Sequence, residues 1–215
     1  MEIKWLGHST FQVQGTKTTI IHDPYHNILG YKLPKNLTAD IVICSHQHQD
    51  HNNVAGVQGD FQVVDKLNTY QLEDLTIQSV KTYHDKNQGK QRGDNIIFVY
   101  TLEDITIAHL GDLGHLLTTK QLIQLPKIDI LMIPCGGGFT INAQEAKIII
   151  EQINPKIVLP MHFRTKALGP FGLKFEKVEK LIKILSRKLV KEKTLKITKE
   201  EIENKNDLYL LDYKE

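Results

Sequence analysis

The sequence contains no run of about 18 apolar residues, so it offers no candidate for a membrane-spanning helix. It has only two cysteines, Cys44 and Cys135, each beside an apolar run. No basic and apolar leader opens the chain, because MEIKWLGHSTFQVQ already reads as strand. Together these absences predict a cytoplasmic protein with reduced thiols and argue against a disulfide framework. A dominant charge is missing too. Lys and Arg total 27 against 25 Asp and Glu, and a net charge of +2 gives no support to a polyanion-binding surface, so nucleic acid is not the expected partner. Internal repeats and linkers are also absent. The 215 residues therefore read as one domain, residues 1–215, large enough for a sizeable core.

What is present is an α/β pattern. Short runs rich in Ile, Val, Thr and aromatics predict strands near 2–6, 10–14, 17–22, 41–44, 61–64, 75–83, 95–101, 104–110, 128–133 and 156–160. Gln14-Gly15 and Glu103-Asp104 supply turn signals between them. Helical periodicity is clearest over 142–153, where Asn142 and Glu145 match a capping box and Asn154-Pro155 a stop. A second helix is predicted over 174–190, with Leu181, Ile184, Leu185 and Leu189 on one side and lysines on a solvated face. LYLLDY at 208–213 suits a last strand.

Five predicted strands run into polar or reactive residues. They lead to His46, to His84, to Gly111-Asp112, to Pro134-Cys135-Gly136-Gly137-Gly138, and to Met161-His162. Loops on a rigid sheet are where chemistry is usually placed, so these ends are expected to converge on one rim.

The densest of them is SHQHQDHN, residues 45–52, which puts His46, His48, Asp50 and His51 within six positions. A metal ion explains the crowding, since neutral imidazole and carboxylate are good ligands for zinc and similar ions. His46 and His48 are two apart and project to one side of an extended segment. His51 is five from His46, which does not suit a helical H-E-x-x-H pair, so the segment is read as a loop wrapped around metal. With His84, Asp112 and His162, the candidate ligands are too many for one tetrahedral ion and suit two. His22 and His26, by contrast, read as hydrogen-bonded surface histidines.

His46-Gln47-His48-Gln49-Asp50-His51 resembles the H-x-H-x-D-H signature of the metallo-β-lactamase superfamily. The likeness extends over most of the chain. Leu6-Gly7-His8-Ser9-Thr10-Phe11 and Ile21-His22-Asp23-Pro24 resemble the opening hairpin of its small metal-dependent hydrolases, similar to the ascorbate-6-phosphate lactonase and N-acylphosphatidylethanolamine phospholipase D branches. Tyr83-His84-Asp85, Arg92-Gly93-Asp94-Asn95, His109-Leu110-Gly111-Asp112, Pro134 through Thr140 and Pro160-Met161-His162 follow in the same order.

The resemblance implies an αββα sandwich of two mixed sheets with outer helices and a site at one edge. By position it implies His46, His48 and His84 on a first metal, Asp50, His51 and His162 on a second, and Asp112 bridging both. Asp23 matches an acid that orients the His loop, or is a plain turn residue before Pro24. Two divalent ions, zinc with manganese or iron as alternatives, would share a bridging hydroxide and clamp attacking and leaving oxygens. A small-molecule ester, lactone or phosphodiester is the expected substrate. Asp50, His115 and Arg92 are the candidates for catalytic work: His115 as a proton donor or a loop histidine, Arg92 as a carboxylate or phosphate grip or a surface arginine. His8 can reach the site or brace a turn, and the Gly136–Gly138 loop can offer N–H groups to an anion.

Departures from other branches narrow the function. Flavodiiron oxygen reductases carry Glu where this chain has His48. Superfamily nucleases carry a large insert or RNA-gripping arm, whereas residues 113–161 are filled by a strand, a glycine loop and a helix. Glyoxalase II adds a helical domain for which the tail after 165 is too short, and secreted β-lactamases need a leader. The expected activity is hydrolysis of a small cytosolic metabolite. A nucleotide or nucleic-acid phosphodiesterase and a non-catalytic metal-binding module are the alternatives.

Overall fold

Ile3 and Trp5 alternate with the less buried Glu2, Lys4 and Leu6, a period of two that makes the first strand, β1 (Glu2–Gly7), half-buried. A computed structural model describes residues 1–27, 30–72 and 75–213. Within them β1 is followed by β2 (Thr10–Gln14), β3 (Thr19–His22), β4 (Ile41–Ile43), β5 (Gln62–Val64), β6 (Tyr70–Leu72), β7 (Leu75–Tyr83), β8 (Asp94–Leu102) and β9 (Ile105–His109). Then come α1 (Thr119–Gln124), β10 (Ile130–Pro134), α2 (Ala143–Ile153), β11 (Ile157–Met161), α3 (Glu179–Ile184), β12 (Lys188–Glu192), β13 (Thr194–Lys196), α4 (Lys199–Ile202) and β14 (Asp207–Leu211).

The strands form two mixed sheets, one in the order β13-β1-β2-β3-β4-β5 and one in the order β12-β14-β11-β10-β9-β8-β7-β6. This is the expected αββα sandwich. One apolar cluster holds Ile3, Phe11 and Val13 of the first sheet together with Phe98, Ile107 and Met132 of the second. The opposite side of the first sheet is covered separately, with Ile21, Val42 and Cys44 packed on Leu37, Ala39 and Val57. Strands β4, β10 and β11 are buried at every position, which explains their unbroken apolar runs.

Topology sets the rim. Strand β9 pairs parallel with β10, and β10 parallel with β11. Strand β7 is antiparallel to β8 and β8 to β9, so β7 runs the same way as β9. The carboxyl ends of β7, β9, β10 and β11, and with them the loops to His84, Asp112, Cys135 and His162, therefore share one edge. In the first sheet β3 and β4 are parallel, and their ends carry Asp23 and the 45–52 loop.

Helix α2 matches its expectation closely. Asn142 Oδ1 accepts from the N–H of Gln144 and Glu145, Glu145 closes the capping box, and Asn154 ends the helix in the left-handed region at φ 51°. The helix expected over 174–190 is corrected. Residues Gly169–Lys174 form a 3₁₀ segment, α3 is only six residues long, and Lys188–Glu192 is an edge strand. There Leu189 and Val190 pair with Leu208 and Tyr209 of β14, so sheet pairing overrides helical periodicity. Among the described residues no helix is long and apolar enough to cross a membrane.

Candidate metal centre

The 45–52 loop is anchored by Asp23, which sits at φ 43° just beyond β3. Its carboxylate accepts from Ser45 N (2.7 Å), Ser45 Oγ (2.6 Å) and His51 Nδ1 (2.8 Å), all fully buried or nearly so. Burial alone would raise the Asp23 carboxyl, but His51 and His109 outweigh it and hold the group well below the usual carboxylate range. Because the Ser45 hydroxyl donates to Asp23, its oxygen accepts from Nδ1 of His46 at 3.0 Å, leaving His46 Nε2 free as a ligand atom. That Nε2 lies 3.1 Å from Nδ1 of the exposed His48. Burial keeps His46 neutral by lowering its pKa, which suits a ligand.

Asp112 occupies the middle. Its Oδ2 is 3.2 Å from His51 Nε2, 3.1 Å from His84 Nε2 and 3.2 Å from His162 Nε2. Its placement begins in the sheet. Asn95, fully buried on β8, accepts from the Asp112 N–H at 2.9 Å and donates to Thr82 Oγ1 and the Leu110 carbonyl. Gly111 turns at φ 55°, where a Cβ would lie 2.3 Å from Asn95 Oδ1. Ser9 Oγ reaches Asp112 Oδ1 at 3.5 Å.

The side chains gather into groups whose ligand atoms lie within 4.8 Å of one another: His46, His48 and His84; His8, Asp50, His51 and His162; and Asp23, His46 and His51. The first group holds His46, His48 and His84, the second adds His8 to Asp50, His51 and His162, and Asp112 Oδ2 lies within 3.2 Å of a histidine nitrogen from each. Protonation tests whether cations fit. His51 donates its Nδ1 proton to Asp23, so Nε2 turns a lone pair toward Asp112, and this buried atom has no hydrogen-bond partner. Two acceptors 3.2 Å apart need a positive species. Burial disfavours the imidazolium, yet Asp112 and Asp23 raise His51 well above its ordinary pKa, so a proton and a metal ion compete for the same position. The donor set of imidazoles and carboxylates fits zinc, manganese or iron.

His8 lies beside Asp50, His51 and His162. It is buried at φ 51°, its Nε2 lies 3.2 Å from Asp50 Oδ2, and its ring is 4.3 Å from that of His162. Burial and the neighbouring His162 pull its pKa down to about 4. The strand logic did not reveal Ser9, His109 or the supporting role of Asn95. His109 accepts from the Gly111 N–H at 3.2 Å and bonds the Ser9 carbonyl at 2.9 Å, tying the hairpin to the Asp112 turn. For His109 and Asn95, a polar residue inside an apolar strand was the available signal.

Other expectations are placed differently. His115 has both ring nitrogens committed to backbone: Nδ1 donates to the Leu116 carbonyl at 2.7 Å and Nε2 accepts from the Tyr83 N–H at 3.1 Å. It braces the turn after Asp112, and its geometry does not supply a free proton donor. His22 is not a surface residue. It is fully buried, bonded to Tyr100 Oη at 2.8 Å and stacked on His109, while His26 is exposed as expected. The Gly136–Gly138 run serves close packing, since a Cβ at Gly136 would meet the His162 carbonyl at 2.1 Å and one at Gly138 the Lys174 carbonyl at 2.6 Å. Arg92 lies on the Phe139 ring, 3.9 Å from its centroid.

Comparison with known proteins shows the family. The beta-lactamase superfamily domain model matches residues 2–162. A UPF0173 metal-dependent hydrolase of Staphylothermus marinus is 30% identical, over 84% of this chain and 90% of its own length. One from Carboxydothermus hydrogenoformans is 28% identical, over 77% of this chain and 85% of its own. A Thermotoga maritima protein placed among the zinc-dependent hydrolases of the metallo-β-lactamase superfamily superposes with a TM-score of 0.81 at 33% identity, covering 98% of this chain and 97% of its own. The chain belongs to the beta-lactamase superfamily, alongside the UPF0173 metal-dependent hydrolases.

Proposed function

We propose that this protein hydrolyses an ester, lactone or phosphodiester bond of a small molecule with the help of two divalent metal ions, zinc or else manganese or iron. The observation that carries the reading is the position of Asp112, whose Oδ2 stands 3.1–3.2 Å from ring nitrogens of His51, His84 and His162 between the two donor groups. His46, His48 and His84 would hold one ion, Asp50, His51 and His162 the other, and Asp112 both. When bound, such a pair supplies a nucleophile from water near neutral pH and polarises the oxygen of the scissile group.

The chain's own residues do the positioning. Asp23 fixes the tautomer and direction of His51, and Ser45 does the same for His46, so that Nε2 of each faces the centre. Asn95 and Gly111 fix Asp112 before any ion arrives. The half-buried Asp50, 28% exposed at its side chain, lies at the open side of the second group, where it can meet both solvent and His8.

Chromogenic phosphodiesters, aryl esters and lactones assayed with added zinc or manganese test the reading. Hydrolysis that chelation abolishes and metal restores is expected. Inactivity across the whole panel in protein shown to carry metal would favour a binding module, and cleavage confined to polynucleotides would favour a nuclease.

A further inference from the structure

Three loops leave the rim beside the candidate ligands and meet in one cluster. The first follows His84 and is wound around Asp85, whose carboxylate accepts from the N–H groups of Asn87 (2.7 Å), Gly89 (3.0 Å), Gln91 (2.9 Å) and Arg92 (2.8 Å). The second follows β10 and carries Phe139. The third follows His162 and carries Phe171 and Phe175. Arg164 staples this third loop, donating through Nε to the Gly172 (2.8 Å) and Phe175 (2.9 Å) carbonyls and through Nη2 to that of Leu173 (2.9 Å).

The three phenylalanines touch one another, with centroids 5.5–6.1 Å apart. Phe175 in turn stands edge-on to the His162 ring at 5.1 Å, so the cluster borders the candidate metal centre. Phe171 remains 41% exposed. Two cations lie on this aromatic surface: the Arg92 guanidinium 3.9 Å above Phe139, and the Lys174 ammonium 4.9 Å from the Phe171 centroid and 5.6 Å from that of Phe139.

Neither cation has an acid partner among the described residues, although the chain holds 25 acids. A guanidinium held over an aromatic face can still present N–H groups at its edge, and that edge matches the two oxygens of a carboxylate or phosphate. Two like charges on a stapled apolar wall are best relieved by an anion from outside.

We propose that Arg92 is a specificity-determining residue, and that the substrates are small molecules bearing a carboxylate or phosphate on a flat apolar body that rests on the phenylalanine cluster. This rests on the hydrolase reading of the adjoining centre, with the anion held by Arg92 and the scissile bond placed toward His162. Lys174 adds attraction without geometric selection, being a point charge on a flexible stem.

The test is calorimetric titration of zinc-loaded protein with 2-naphthoate and with neutral 2-naphthamide, which share the same ring system. Wild type is expected to prefer the carboxylate by roughly tenfold or more. In Arg92→Ala, and equally in Arg92→Gln, the ratio of the two affinities should fall toward one, with Arg92→Lys recovering part of it. Equal affinities in wild type, an unchanged ratio in both Arg92 variants, or no measurable binding of either probe would overturn the proposal. A carboxylate held by the metal centre instead of Arg92 would show as that unchanged ratio. Failure of the hydrolase reading is separate, because it shows as inactivity on the substrate panel while this binding preference persists.

Discussion

Asp23 Oδ2 lies 2.8 Å from Nδ1 of His51, and both side chains are wholly buried. The contact fixes which nitrogen of His51 faces Asp112, and so links a residue at the end of one strand to the centre of the site. Asp23→Asn is expected to weaken metal binding by about 10–100-fold, the range for partners of metal-ligating histidines. Competition with a chromogenic chelator measures it, and unchanged affinity would remove Asp23 from that role.

The same contact sets a pH dependence in the metal-free protein. The folded-state Asp23 carboxyl is depressed below its unfolded value of about 4, so its stabilisation is full above that pH and is lost as the pH falls through the folded value. The stability gap between wild type and Asp23→Asn, from urea midpoints, should therefore be wide near pH 7 and narrow toward pH 3. A gap that widens on acidification would contradict the assignment.

Metal affinity has the opposite competitor. His51 is raised well above its ordinary pKa in the absence of an ion, because Asp112 and Asp23 overcome the effect of burial. A metal must displace that proton, so apparent affinity should rise with pH across the neutral range and proton release should accompany binding. Titration in buffers of different ionisation enthalpy counts the protons, and zero release would exclude this competition.

Asn95→Ala should cost about 1–3 kcal/mol of stability, because it leaves buried donors and acceptors around Thr82, Leu110 and Asp112 without partners. His115→Ala should retain bound metal and turnover, since its ring nitrogens bond backbone groups of Tyr83 and Leu116. A loss of kcat with metal intact would restore His115 as a proton donor.

The sandwich and the convergence of strand ends were legible in the sequence because buried parallel strands leave unbroken apolar runs and the H-x-H-x-D-H loop is dense. The helix expected over 174–190 failed for a physical reason. Leu181, Leu185 and Leu189 are spaced for a helix, but β14 offers an open edge that Leu189 and Val190 fill. Local periodicity carries no information about a strand that arrives later in the chain. His22 was read as exposed because a histidine at a strand end has the same letter whether it meets water or Tyr100. His109 and Asn95 stood in quoted motifs, but their supporting bonds to Ser9 and to Thr82, Leu110 and Asp112 could not be read from them. The phenylalanine wall spreads over two loops, and no spacing rule joins Phe139 to Phe175.

The most direct test is elemental analysis of metal-reconstituted wild type beside Asp112→Ala. Asp112 Oδ2 lies 3.1–3.2 Å from histidine nitrogens of both donor groups. Wild type should carry two ions per chain, and Asp112→Ala should lower occupancy of both positions together. A wild type that binds no metal, or an Asp112→Ala protein that keeps two ions and full activity, would contradict the shared-carboxylate centre.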